Sequence, residues 1–130
     1  MGLFNNLFKS SAETEKGMEI NWVAFTDINQ LEEINEISNT IPVLIFKHST
    51  RCGVSTFALR NFQRNYSIDE NRLHLYFLDL ISFRAISNKV SERFNIRHQS
   101  PQVLVIKNEE IIYEASHNQI SIDSIKKILQ

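Results

Sequence analysis

The sequence predicts an α/β fold: one domain built on a central mixed β-sheet flanked by helices. Three observations predict it. Two apolar runs, Ile41-Pro42-Val43-Leu44-Ile45-Phe46 and Leu73-His74-Leu75-Tyr76-Phe77-Leu78, read as strands, the first of them buried on both faces. Stretches with helical spacing separate them. A final apolar segment, Val103-Leu104-Val105-Ile106, turns at Asn108-Glu109 into Ile111-Ile112-Tyr113, as a hairpin does.

The first element is a short strand, Trp22-Val23-Ala24-Phe25. Thr26 or Asp27 can cap the following helix, whose stripe is Ile28, Leu31, Ile34 and Ile37. The buried strand over 42–47 comes next, then a helix from Ser55 to about Asn65 with Phe57, Ala58, Leu59 and Phe62 facing inward. The third strand ends at Asp79, and Ile86, Val90 and Phe94 mark a helix over 84–94. Ser100-Pro101 precedes the hairpin, and Ile120, Ile122, Ile125, Ile128 and Leu129 form a closing helix. The order is β-α-β-α-β-α-β-β-α. Helices between strands imply parallel pairing, and the hairpin adds antiparallel strands. This is the thioredoxin-like arrangement.

The domain is expected over 20–130. Residues 1–19 are expected to be a short helix, with Leu3, Phe4, Leu7 and Phe8 on one stripe, followed by a polar linker. The chain is 130 residues long and 42% hydrophobic with nine Phe, enough for one substantial core. A formal net charge of −1 gives no electrostatic case for nucleic acid or an anionic membrane. No apolar run approaches the roughly 20 residues that span a bilayer. The start lacks the charged n-region of a secretory signal. A single cysteine cannot close an internal disulfide, so a cytoplasmic location and a monomer are expected.

That cysteine, Cys52, lies where the buried strand passes into a helix, within Lys47-His48-Ser49-Thr50-Arg51-Cys52-Gly53-Val54-Ser55. Backbone N–H groups and the helix dipole at such a junction favour a thiolate, as does Arg51, with Lys47 and His48 expected to assist. The polar or small flanks, Thr50 among them, distinguish it from a buried, inert cysteine. A dithiol redox protein would carry a second cysteine at position 55, where this chain has Ser55. Ser55 is open to two readings, a first-turn hydroxyl and a hydrogen-bond donor to the Cys52 sulfur. In neither can it close an intramolecular disulfide, so the chemistry is exchange through a mixed disulfide with an external thiol. His48 is either a strand-end polar residue or a group that orients or protonates a leaving thiol. His74, His98 and His117 are scattered without metal-ligand spacing, and no metal site is expected. Pro101, in a thioredoxin-like fold, is expected to follow a cis peptide bond beside the thiol, with Ser100 pairing its backbone to the substrate chain.

Residues 20–130 resemble the monothiol bacilliredoxin family, thioredoxin-like proteins of bacteria that use bacillithiol. The resemblance rests on Trp22 and its helix, on Pro42-Val43-Leu44-Ile45-Phe46-Lys47-His48-Ser49-Thr50, on Cys52 with Ser55, and on Ser100-Pro101-Gln102. That family usually has Pro and then Ile after the cysteine; Gly53 and Val54 stand here and loosen the helix start. The resemblance implies that Cys52 and Ser55 are catalytic, with His48, Thr50, Arg51, Ser100 and Pro101 around the substrate. No cofactor would be bound. Bacillithiol would be the thiol co-substrate, S-thiolated client proteins the partners, and a second thiol molecule or another redoxin or reductase the resetting agent.

Two other classes share features. Monothiol glutaredoxins, which bind glutathione and an iron–sulfur cluster, have a Cys-Gly-Phe-Ser motif like Cys52-Gly53-Val54-Ser55, but need glycines after the proline strand; the three glycines here, Gly2, Gly17 and Gly53, all precede Pro101. A non-catalytic thioredoxin-like adaptor would carry the thiol incidentally. An arsenate-reductase loop would need Arg where Ala58 stands, and a one-cysteine peroxidase would need Pro where Ile45 stands.

Overall fold

The computed structural model describes residues 20–130. The helix and linker expected over 1–19 lie outside the described residues. The elements are β1 (Trp22–Ala24), α1 (Gln30–Ser38), β2 (Val43–His48), α2 (Gly53–Asn65), β3 (His74–Asp79), α3 (Arg84–Phe94), β4 (Gln102–Lys107), β5 (Glu110–Ser116), a 3-10 turn (His117–Gln119) and α4 (Ile122–Ile128). The five strands form one sheet in the order β1-β3-β2-β4-β5. β1 and β2 both pair parallel to β3, whereas β4 runs antiparallel to β2 and to β5.

All six residues of β2 are buried, because helices cover both faces of the sheet. Strand alternation then sorts the side chains. Leu44, Phe46, Leu75, Phe77, Val103 and Val105 join Trp22, Leu59, Phe62, Ile122 and Ile125 in the core under α2 and α4. Val43, Ile45, Tyr76, Leu78, Leu104 and Ile106 join Leu31, Ile34, Ile86 and Val90 under α1 and α3. Trp22 packs within the first core, its ring 5.7 Å from Phe62 and 5.5 Å from Phe77 between centroids.

Two helices depart from the sequence expectation. α1 starts at Gln30 without a side-chain cap, because Gln30 Oε1 accepts the N–H groups of Thr26 and Asp27, while Asp27 itself closes a turn onto Asn29 N–H. Ile28 is therefore outside the helix and exposed. α2 begins two residues early, at Gly53, with Cys52 at its N-cap. Its buried positions are Ser55, Ala58, Leu59, Phe62 and Gln63, a stripe that leaves Phe57 on the outer flank at 67% exposure. The β4–β5 turn is made by Asn108 and Glu109 with φ of 52° and 65°, the doubly positive pattern of a two-residue hairpin turn. Ser38 pins it to the end of α1, its carbonyl accepting Asn108 N–H and its hydroxyl accepting Glu109 N–H.

One charged side chain enters the α1/α3 core. Lys47 follows Val43 and Ile45 on that face of β2 and is fully buried. Its Nζ donates to Ser91 Oγ at 3.0 Å and to Ser87 O at 3.4 Å, and lies 3.4 Å from His98 Nδ1. Burial, and secondarily the Arg84 guanidinium, pull its pKa down to about 8.

Two predictions follow from this packing. The unfolded chain holds the Lys47 proton up to the ordinary lysine value, 10.5, and the folded chain releases it near 8, so the unfolded state binds more protons between those values. Stability to urea should therefore rise by roughly 2 kcal/mol between about pH 8 and 10 on account of this group, and Lys47→Met should lack that rise; an identical pH dependence in the two proteins would refute the assignment. At Gly53 an added Cβ meets nothing within 4 Å and φ is not positive. Cys52 before it is extended, at φ −113° and ψ 118°, as a residue before proline must be, and position 53 is the first helical residue. Gly53→Pro should stabilise the fold by about 0.5–1 kcal/mol through the unfolded state, read as a higher thermal midpoint; a lower midpoint would show that the glycine is needed there.

Candidate active site

The C-terminal end of β2 delivers the site. The chain leaves His48, makes a turn in which Ser49 O accepts Cys52 N–H at 3.2 Å, and enters α2. Cys52 caps that helix: its carbonyl accepts Thr56 N–H at 3.1 Å and Thr56 Oγ1–H at 3.3 Å. The side chain thus stands at the positive end of a 13-residue helix, partly exposed and without a disulfide. Thr50, Arg51, Gly53 and Val54 around it are exposed. Arg51 makes no ion pair or hydrogen bond among the described residues, so its charge is open to a ligand at the mouth of the site.

Ser55 is fully buried, at 0% exposure. Its Oγ accepts Ser49 N–H at 3.0 Å and lies 2.8 Å from His48 Nδ1. Among the described residues it makes no hydrogen bond to the Cys52 sulfur. The donor reading of Ser55 is thus not the arrangement seen; the hydroxyl instead holds the turn that displays the thiol. His48 also differs from the expectation of a substrate-facing residue. It is 4% exposed, packs its ring 5.5 Å from Phe77, and lies under the turn, because position 48 shares the α2 face of β2 with Leu44 and Phe46. Burial holds its pKa below the usual histidine value, opposed by the Asp79 carboxylate and by hydrogen bonding with Ser55.

β4 supplies the second wall. Lys47 pairs with Gln102, so Ser100 and Pro101 fall beside Ser49 and His48 in the antiparallel register. The Ser100–Pro101 peptide is cis. Pro101 is buried, and Ser100 is partly exposed with a buried Oγ that has no hydrogen-bond partner among the described residues. Gln102 braces this segment from within: its Oε1 accepts Gln99 N–H at 3.3 Å, and its Nε2 donates to Arg97 O at 2.9 Å and Glu114 Oε2 at 3.0 Å. The expected residues Cys52, Thr50, Arg51, Ser100 and Pro101 therefore gather at one end of the sheet, with Ser55 and His48 beneath them.

His117 is a rim residue that the sequence did not reveal. Its N–H donates to Pro101 O at 3.1 Å, its φ is 54°, and its turn packs against α2. Only the hairpin register, with Gln102 opposite Ser116, brings it back to the site. Among the described residues, no group of three or more His, Cys, Asp or Glu side chains is placed to hold a metal ion. No helix of the described residues is long and apolar enough to cross a membrane.

Solved structures share this architecture. A protein described as an oxidoreductase with a thioredoxin fold superimposes with a TM-score of 0.68 at 24% identity, over 84% of this chain and 94% of its own. Malassezia sympodialis thioredoxin matches with a TM-score of 0.63 at 13% identity, over 87% and 90% of the two chains. Thioredoxin f from spinach chloroplast matches with a TM-score of 0.60 at 12% identity, over 87% and 96%. The fold is thioredoxin-like, as the order of elements implied. The family model for monothiol bacilliredoxin BrxC matches residues 23–125, and the chain belongs to the monothiol bacilliredoxin family.

Proposed function

We propose that this protein removes bacillithiol from S-bacillithiolated proteins by thiol–disulfide exchange at Cys52. The observation that carries the reading is one accessible thiol at a helix N-cap, with a buried serine where a resolving cysteine would stand. The Cys52 thiolate attacks the bacillithiol sulfur of the mixed disulfide on the client. That S–S bond breaks as the new one forms, the client leaves as its thiolate, and Cys52 carries the bacillithiol. A second bacillithiol thiolate then attacks the carried sulfur, giving bacillithiol disulfide and free Cys52; another redoxin or a reductase could serve the same step. Electrons balance in each step, because each exchanges one disulfide for another.

Ser100, Pro101, Thr50 and Arg51 are the residues set to receive the client segment. The unpartnered Ser100 hydroxyl and the open Arg51 guanidinium are the groups that gain partners when it docks. The reaction needs free low-molecular-weight thiol, which fits a reducing cytoplasm. It needs no bound cofactor and one copy of the chain.

The direct test uses a purified client protein carrying a bacillithiol disulfide. Release should fall to the uncatalysed background in Cys52→Ser, and release by that variant at the native rate would overturn the reading. Thiol labelling separates exchange from an adaptor role: Cys52 should react at neutral pH, whereas reaction confined to pH above about 8, as for an ordinary thiol, would favour the adaptor.

A further inference from the structure

Three hydrogen bonds run in series beneath the thiol. His48 Nδ1 and Ser55 Oγ are 2.8 Å apart, Ser49 N–H donates to Ser55 Oγ at 3.0 Å, and Cys52 N–H donates to Ser49 O at 3.2 Å. We propose that His48 is a positioning residue for the Cys52 nucleophile, acting through Ser55 and the Ser49 peptide, so that the turn presenting the sulfur is held only while the imidazole is neutral with an unprotonated Nδ1. The inference rests on Cys52 being the exchange nucleophile and adds a control on it.

Donors and acceptors set the constraint. A serine hydroxyl has one proton to give and two lone pairs. Ser55 already accepts the Ser49 N–H. With Nδ1 bare, Ser55 gives its proton to His48, and both bonds are satisfied. When the ring takes a proton, Nδ1–H becomes a second donor aimed at the same oxygen, and the Ser55 proton loses its acceptor in a fully buried position. An unpaired buried donor is costly, so the hydroxyl must rotate and its bond to Ser49 N–H weakens. The turn then loses the anchor that fixes Cys52 at the helix start.

The surroundings favour the neutral ring. His48 is buried against Phe77, and burial outweighs both the Asp79 carboxylate opposite it on β3 and a hydrogen bond to the Ser55 backbone, each of which favours the charged form. α2 sets Ser55 against the ring and carries Cys52 at its start, while β4 sets the uncharged Pro101 alongside. Lys47 points to the other face of the sheet.

Two measurements test the proposal. The first is the rate of exchange with a small disulfide from pH 5 to 8. In the native protein the rate should fall more steeply toward low pH than the thiolate fraction, because two protonations act. His48→Asn offers an acceptor oxygen near the Nδ1 position and cannot titrate; it should keep the neutral-pH rate within about twofold and follow a single ionisation. Ser55→Ala should slow exchange about fivefold at neutral pH, on the scale of one net hydrogen bond, and also follow a single ionisation. A profile in His48→Asn that coincides with the native one would overturn the proposal. The second measurement needs neither a variant nor exchange activity. The backbone amide proton shift of Ser49 should follow the titration of the His48 ring in the native protein; a Ser49 amide that stays constant while the ring titrates would overturn the proposal even if Cys52 proves an active nucleophile. A coupled Ser49 amide in a protein whose Cys52 exchanges nothing would instead uphold the chain of bonds and sink the catalytic reading.

Discussion

β2 is the constraint on which the site depends. Every residue from Val43 to His48 is buried, and the strand pairs with β3 on one side and β4 on the other. A strand covered on both faces cannot slip register without moving its whole apolar set, since each one-residue shift exchanges the two faces. Fixed in this way, β2 ends where Ser49 begins its turn, and α2 starts where Cys52 caps it. The neighbouring strand fixes the opposite wall by the same logic. Lys47 pairs with Gln102, so Ser100 and Pro101 must lie beside the turn. The thiol and the Ser100–Pro101 wall beside it are thus consequences of one register.

Parity along β2 decides what its two polar residues do. Lys47 falls on the α1/α3 face and ties the sheet to Ser87 and Ser91 of α3. His48 falls on the α2 face and meets Ser55. The two adjacent residues serve different layers: one fastens a helix to the core, the other supports the loop that bears Cys52. Neither faces the solvent.

Most of the fold was legible in the sequence because apolar runs and helical stripes are direct records of burial. The element order and the hairpin followed from them, and so did the position of Cys52. The departures have physical causes. Hydrophobicity alone turns Phe57 inward, whereas the stripe of Ser55, Ala58, Leu59 and Phe62 puts it on the flank. The start of α1 depends on the Gln30 side chain bonding back to Thr26 and Asp27, which no periodicity reports. The inward role of His48 was available from alternation with Leu44 and Phe46, but its bond to Ser55 required the helix to be placed. His117 reaches the rim only through long-range strand pairing, which leaves no local mark.

A thiol with a buried serine beneath it is suited to receive a small thiol and hand it on, since no second sulfur competes for the mixed disulfide. The proposed exchange therefore turns on what Cys52 carries after it acts. The most direct measurement is the intact mass of the protein, and of its Cys52 peptide, taken from oxidatively stressed cells under conditions that block further exchange. An adduct on Cys52 with the mass of one bacillithiol is the expected result. A Cys52 that carries glutathione, or that stays unmodified while bacillithiolated clients are cleared, would contradict it.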